Sequence, residues 1–420
     1  MPTTSVVIMG GGQAGLAMSH HLAARSIDHV ILEKGAVANA WKTERWDALR
    51  LLTPNWLSRL PGYHYRGDDP NGFMTAAEVV DYLEGYRTTI EAPVLTGTTV
   101  RSVTPTGGRH RIGTDDATWT ADAVVMATGA ARDPKIPDLA AALPPSVEQL
   151  DPLRYRNPDQ IDGRGRVVVV GASASGSQIA NELAIAGHDV VLAVGSHTRL
   201  PRTYRGLDIH WWLHTLGVLE EPWHQIDDLA KARRRPSLQL IGTRERRDLG
   251  LNELAANGVE LVGRWAGVAD GKAQFAGSLA NVCADADLKE RRLLDRIDAH
   301  AAAHGLDAEL EPPVRPAPTA VPPTTNHIDL ATVSTVIWAT GFRPRYPWLD
   351  PAHLDRAGNL VHDGGVLAHP GLYVLGLPFA RTRKSNFIDG VGPDAAHLAA
   401  HLHRHLDAGT RNVPAAAMAA

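Results

Sequence analysis

A chain of 420 residues with 44% hydrophobic and 21% charged residues and a formal net charge of -4 is globular and too long for one core, so two domains are expected. The charge balance gives no electrostatic case for nucleic acid or an anionic membrane as a partner, and no apolar run reaches the roughly 18 residues of a membrane span. A single cysteine, Cys283, excludes an intrachain disulfide and a dithiol redox centre; with no room for a signal peptide before the first strand, a cytoplasmic protein is expected.

The first predicted strand, Val6 to Met9, runs into Gly10-x-Gly12-x-x-Gly15 and then a helix over Gln13 to Arg25. In such a turn the first glycine permits the tight bend, the second lets a pyrophosphate approach the backbone, and the third lets helix and strand pack closely. A second strand, His29 to Leu32, ends at Glu33, 18 residues after Gly15. A carboxylate there accepts from the hydroxyls of an adenosine ribose, so the first unit suits a nucleotide without a 2'-phosphate, FAD or NAD.

Ala121 to Met126 is a further apolar strand leading into Ala127-Thr128-Gly129. Val167 to Val170 then opens a second fingerprint, Gly171-x-Ser173-x-x-Gly176. One fingerprint is weak as a signal, whereas two, each on its own strand-turn-helix pattern, describe a chain that brings two redox nucleotides together. Asp189 to Val194 is the next strand. No acid follows it; Ser196, His197, Arg199 and Arg202 do. Hydroxyl and guanidinium donors at that place favour a ribose 2'-phosphate, hence NADPH over NADH.

A helical excursion is expected around residues 205 to 255, and a stiff proline-rich connector from Glu311 to Pro323 near the return crossing. Thr335 to Trp338 leads into Ala339-Thr340-Gly341, the same tripeptide as before, marking an equivalent turn. A strand at Leu372 to Gly376 and a helix at Asp394 to Leu406 complete the first unit. The expected fold class is α/β, with two Rossmann-like three-layer dinucleotide-binding domains: an FAD domain at 1–162 and 327–420, interrupted by an NADPH domain at 163–326.

Other features have plainer readings. Trp211-Trp212 could wall a substrate pocket, but core packing or an oligomer contact is the commoner use of such a pair, which leaves a homo-oligomer open. His397, His401 and His405 share a helix face without carboxylate or cysteine companions, so no metal is expected. The basic runs at 231–235 and 244–247 read as solvated helix surface. Arg381 to Asn386 either neutralises flavin or an acidic substrate or is a solvated loop. Asp151 before Pro152 reads as a surface turn residue.

Further segments, Trp41 to Pro54, Ala339 to Pro344, Pro370 to Tyr373 and Asn386 to Ala395, make the chain resemble the class B flavoprotein monooxygenases, including bacterial flavin-containing monooxygenase-like proteins and plant indole-pyruvate monooxygenases. The resemblance covers almost the whole chain. It implies that NADPH reduces FAD and that a flavin C4a-(hydro)peroxide gives one atom of O2 to a small organic substrate. In such chemistry the protein positions and excludes water more than it donates protons, consistent with the absence of a conspicuous catalytic constellation. It implies flavin contacts at Gly10, Gly12, Gly15, Glu33, Trp41, Thr53, Val100, Thr128, Gly129, Asn386 and Gly390. For the nicotinamide nucleotide it implies Gly171, Ser173, Ser175, Gly176, Ser196, His197, Arg199, Thr340 and Gly341. Two departures stand out: Asp151 lies where relatives carry a linker histidine, and Leu52 where flavin-containing monooxygenases carry asparagine. An FAD-dependent NADPH oxidase or reductase is the alternative enzyme, and a nucleotide-sensing flavoprotein the non-enzymatic one.

Overall fold

The structure is a computed structural model that describes residues 1–130, 133–323 and 325–411. Strand Thr3–Met9 is buried on both faces from Val6 onward, as a parallel strand covered on both sides must be. It forms the centre of a parallel array ordered Leu372–Val374, Thr118–Met126, Thr3–Met9, His29–Leu32 and Val94–Leu95. Its alternate side chains enter two cores. Val6 and Ile8 meet Leu16, Leu22, Leu83, Leu398 and Leu402 on the helical face. Val7 and Met9 meet Val103 and Ile112 of the antiparallel hairpin Val100–Thr106 and Arg109–Thr114 on the other. Three layers result.

The second unit repeats this plan. Its parallel sheet runs Glu148–Leu150, Val333–Trp338, Arg166–Val170, Val190–Val194, Glu260–Gly263. Val167 and Val169 face helices including Ala174–Ile185, and Val168 and Val170 face Trp265, Phe275 and Ile328 of a three-stranded antiparallel sheet. The expected return at residue 327 is corrected by this sheet. Both Glu148–Leu150 and Val333–Trp338 belong to the second unit, because Val333–Trp338 pairs with Arg166–Val170 and Glu148–Leu150 pairs in turn with Val333–Trp338.

The proline-rich run does not make the crossing either. It lies within the second unit, along helix Leu279–Ala303, where Thr319 N–H donates to Asp287 and Arg315 pairs with Asp295 and Asp298. The actual crossings are bound to each other where Asp133–Pro134 pairs antiparallel with Phe342–Arg343. In the excursion at 205–255 the α-helices are short: Ile209–Thr215, Leu229–Arg233 and Leu251–Ala256.

Trp212 is fully buried and its indole N–H donates to the Tyr204 carbonyl at 2.8 Å, so it is core, while Trp211 is half-buried against the same cluster. On the last helix, Ile388–Arg411, His401 Nδ1 stands 3.0 Å from the Tyr373 hydroxyl. Among the described residues no His, Cys, Asp and Glu group could hold a metal, and no helix is long and apolar enough to cross a membrane.

His110 is 1% exposed on the hairpin, with Nε2 against the Pro370 carbonyl and Nδ1 without a partner. Burial first, then the neighbouring His369, His405 and His353, pushes its imidazole down to about 4. Protonation is therefore disfavoured in the fold, and the unfolded chain binds more protons between pH 6.5 and 4. Stability should fall by on the order of 3 kcal/mol across that window as pH drops. Urea titrations of wild type and His110→Gln, which keeps a donor toward Pro370, should show the variant losing clearly less stability between pH 6.5 and 4.

Candidate functional site

Each fingerprint is built by backbone standing where side chains would otherwise be. A Cβ on Gly10, at φ +108°, would lie 2.5 Å from the Ala127 carbonyl oxygen, and one on Gly15 would lie 1.9 Å from the Gly10 carbonyl oxygen. The second unit gives the same pair: Gly171, also at φ +108°, against Ala339 at 2.5 Å, and Gly176 against Gly171 at 1.8 Å. Gly12 differs in kind. A Cβ there meets nothing within 4 Å, and the helix it caps, Gln13–Ala23, has no side-chain cap. Ser173 likewise begins Ala174–Ile185 without a side-chain cap bond. Two helix N-termini thus present amide donors and the positive end of the dipole to open space, the requirement for a pyrophosphate.

Glu33 is 7% exposed; one carboxylate oxygen accepts from Gly11 N–H at 2.7 Å and the other from Gly35 N–H at 3.0 Å. Each oxygen keeps lone-pair capacity. Thr98 N–H donates to the Glu33 carbonyl, which brings the hairpin start at Val100 to the same sheet end. Ala38 N–H donates to the Gly11 carbonyl and Trp41 N–H to that of Ala38, folding the Trp41 segment over the first turn. Asn386 comes there too, its carbonyl 3.5 Å from Gln13 Nε2. The two Ala-Thr-Gly turns occupy equivalent places, with Gly129 at φ +78° and Gly341 at φ +87° and open space beside each. Thr340 donates to the Lys135 carbonyl and Gly341 O accepts from Lys135 N–H, so the second tripeptide is tied to the outgoing crossing.

At Gly390 a Cβ would collide with the Lys384 carbonyl oxygen at 1.7 Å, so close packing of that loop requires the glycine. The 381–386 run is not a solvated loop. Arg381 lies over Trp223 at 4.6 Å, Arg383 pairs with Glu221, and Lys384 bridges Glu220 at 2.9 Å and Asp389 at 2.7 Å. Its cations bind the excursion to the first unit. Asp151 is a turn residue, accepting Leu153 N–H at 2.8 Å, yet it is buried rather than at the surface.

The second-unit strand end corrects the charge assignment. Arg199 is 8% exposed and its guanidinium is committed to Asp287 at 2.6 Å, Glu290 at 3.5 Å, the Thr319 hydroxyl and the Ala317 carbonyl. Arg202 is fully buried on Asp208 and the Leu52 carbonyl. His197 is buried with Nδ1 on the Gly195 carbonyl. Among Ser196, His197, Arg199 and Arg202, only Ser196 is exposed. Local position nominated the arginines; partners 88 and 118 residues away claim the first of them. Those partners stand on and beside helix Leu279–Ala303, which sequence reading missed although Leu279, Cys283, Ala286, Glu290, Leu294, Ile297 and Ala301 mark one buried helical face. Burial pushes Glu290 up to about 7, with Arg199 opposing.

The pyridine nucleotide-disulphide oxidoreductase family matches residues 7–206. An uncharacterized CzcO-like oxidoreductase of Geobacillus kaustophilus is 32% identical over 95% of this chain and 98% of its own. Indole-3-pyruvate monooxygenase YUCCA1 of Oryza sativa subsp. japonica is 28% identical over 48% of this chain and 50% of its own. Among solved structures, a flavin-containing monooxygenase from Stenotrophomonas maltophilia superposes with a TM-score of 0.67, at 22% identity, covering 97% of this chain and 100% of the other. The disulphide in the family description has no counterpart here, since Cys283 is the single cysteine.

Two glycine variants separate cradle from scaffold. Gly12→Val should fold with a near-wild-type melting temperature and purify without yellow flavin absorbance, because its side chain occupies only ligand space. Gly15→Ala should be destabilised by on the order of 3 kcal/mol or more, since backbone must move. A Gly12→Val protein that retains flavin would remove the first turn from the site.

Proposed function

The chain belongs to the family of the CzcO-like oxidoreductases and to the class B flavoprotein monooxygenases, and from that premise we propose that it spends NADPH and O2 to place one oxygen atom on a small organic substrate. It is a flavin-dependent oxidoreductase whose cofactors are FAD and NADPH. The balance of the proposed reaction is substrate, O2, NADPH and a proton giving oxygenated substrate, water and NADP+. When bound, the flavin supplies the redox chemistry that no side chain can. The protein's part is to hold two nucleotides on a fixed frame and keep water out.

The observation that carries the reading is the duplicated cradle: two uncapped helix N-termini, each beside an Ala-Thr-Gly turn, on two Rossmann-like units joined by paired crossings. In the first, FAD would take its pyrophosphate contacts from the Gly10 to Gly15 turn and its ribose contacts from Glu33, with Trp41, Thr53, Val100, Thr128, Gly129 and Asn386 around it. In the second, NADPH would take its pyrophosphate contacts from Gly171, Ser173, Ser175 and Gly176, with Thr340 and Gly341 beside them. Its 2'-phosphate falls to the exposed Ser196 and neighbouring backbone donors rather than to Arg199.

Two measurements follow. Arg199→Ala should destabilise the fold by about 3 kcal/mol, as removal of one partner of a buried ion pair does. It should change the NADPH-to-NADH preference less than about twofold, whereas a lost phosphate contact would change it roughly tenfold or more. Turnover under labelled O2 across amines, sulfides and ketones should put label into product with NADPH consumed one for one. Peroxide formed in stoichiometric yield, with no labelled product from any substrate, would make the oxidase the better account.

A further inference from the structure

Arg202 is the most deeply placed cation of the inserted unit, at 0% exposure. Its guanidinium reaches across to the first unit, donating through Nη1 to the Leu52 carbonyl at 2.8 Å and lying 4.8 Å above the Phe73 ring. Nη2 holds it from behind, 2.6 Å from Asp208 and 2.9 Å from His210 Nδ1. A nitrogen facing an arginine must accept, so His210 is neutral there; burial, first, also lowers its pKa. The side chain of Asp208 is desolvated, yet the charge of Arg202 and the His210 backbone N–H, which donates to it at 2.8 Å, keep it below the usual carboxylate range.

A second path from the inserted unit ends at the same loop. Gln239 Nε2 donates to the Ala172 carbonyl inside the second glycine turn at 2.6 Å, and Gln178 Nε2, from the helix that turn begins, donates to the Leu240 carbonyl at 2.7 Å. Two residues on, Gly242 sits so close that a Cβ would fall 2.4 Å from the Leu51 carbonyl oxygen and 2.7 Å from Phe73 Cβ. Leu51 and Leu52 are thus gripped from the second turn by packing and from Arg202 by charge-assisted hydrogen bonding. A buried ionic group of this kind is a poor way to gain stability compared with an apolar side chain, and its Nε has no partner at all. What it does supply is direction: a planar donor fork fixes where one carbonyl can stand.

We propose that Arg202 is a positioning residue for transfer between the two nucleotides, setting the Leu52–Thr53 loop against the second glycine turn so that the two sites keep one separation. The proposal rests on the flavoprotein reading above for its consequence, though not for its geometry.

Hydrogen exchange on cofactor-free protein tests the geometry. In Arg202→Met, amides at 51–57 should exchange at least about tenfold faster while those at 6–16 and 167–176 stay unchanged. Anaerobic mixing of FAD-loaded protein with NADPH tests the consequence: flavin bleaching should slow roughly 10- to 100-fold at saturating NADPH, with flavin retention unaltered and partial recovery in Arg202→Lys. Tyr204→Phe, which loses a 2.9 Å bond to Asp298 within the inserted unit, should lower melting temperature without slowing bleaching. If Arg202→Met does not fold, Asp208→Asn is measured in its place with the same expectations in weaker form. Unchanged exchange and bleaching in the Arg202 or Asp208 variant overturns the proposal, as does equal slowing in Tyr204→Phe. A wild-type flavin that NADPH does not bleach overturns the flavoprotein reading instead, and the exchange result then still decides whether Arg202 holds the loop.

Discussion

The approach of backbone to backbone at the two glycine turns is the constraint on which the rest depends. In each unit the carbonyl oxygen of the alanine that follows the neighbouring strand, Ala127 or Ala339, lies where a side chain on the first glycine would begin. The carbonyl of that glycine in turn lies where a side chain on the third would begin. Strand, neighbouring strand and helix are therefore locked at one distance by residues with no side chains to spare. The uncapped helix end is a product of the same lock: because the helix comes so close to the strand, its first amides emerge at the sheet's carboxyl edge rather than against protein.

The repetition is geometric, and the differences between the units are chemical. At the end of the second strand the first unit turns a carboxylate inward, held by two backbone amides. The second unit has Gly195 and Ser196 there and spends its arginines elsewhere. Arg199, Arg202 and Arg205 follow at intervals of three, and each is buried on an acid: Asp287, Asp208 and Asp307. Such pairs recover their desolvation only when the geometry is good, so they specify the path of the excursion more than they stabilise it. They also remove three positive charges from a place where a phosphate would otherwise be drawn to them.

The strands that feed the two glycine turns, and the turns themselves, were legible in the sequence because their signals are local. His29 to Leu32 has the same bounds in sequence and structure, and Val6 to Met9 and Val167 to Val170 each gain residues only at the amino end. The return crossing was not legible. Thr335 to Trp338 is apolar enough for either sheet, and only pairing with Glu148–Leu150 and Arg166–Val170 decides it. The arginines failed for a related reason: position relative to a fingerprint says what a side chain could reach, not what it has already been given. Asp287 and Ala317 lie far off in sequence, and Asp287 stands on a helix whose seven buried positions were spaced for recognition but were not read.

Two units that repeat one plan need something that is not repeated to fix their separation, since identical cradles say nothing about the distance between them. The paired crossings Asp133–Pro134 and Phe342–Arg343 join the units but hold them along one short ladder, which alone permits rotation about its axis. A second attachment away from that axis removes the rotation. The inserted unit supplies it at two first-unit loops, through Glu220 and Glu221 of the excursion on Lys384 and Arg383, and through Arg202 on the Leu52 carbonyl. Leu52 and Phe387, one from each loop, also enter the apolar cluster around Trp212 and Leu240. Hydride transfer tolerates little error in distance. In this chain, the residues with most control over that distance are therefore expected outside both glycine turns, on the part of the inserted unit that carries no nucleotide motif.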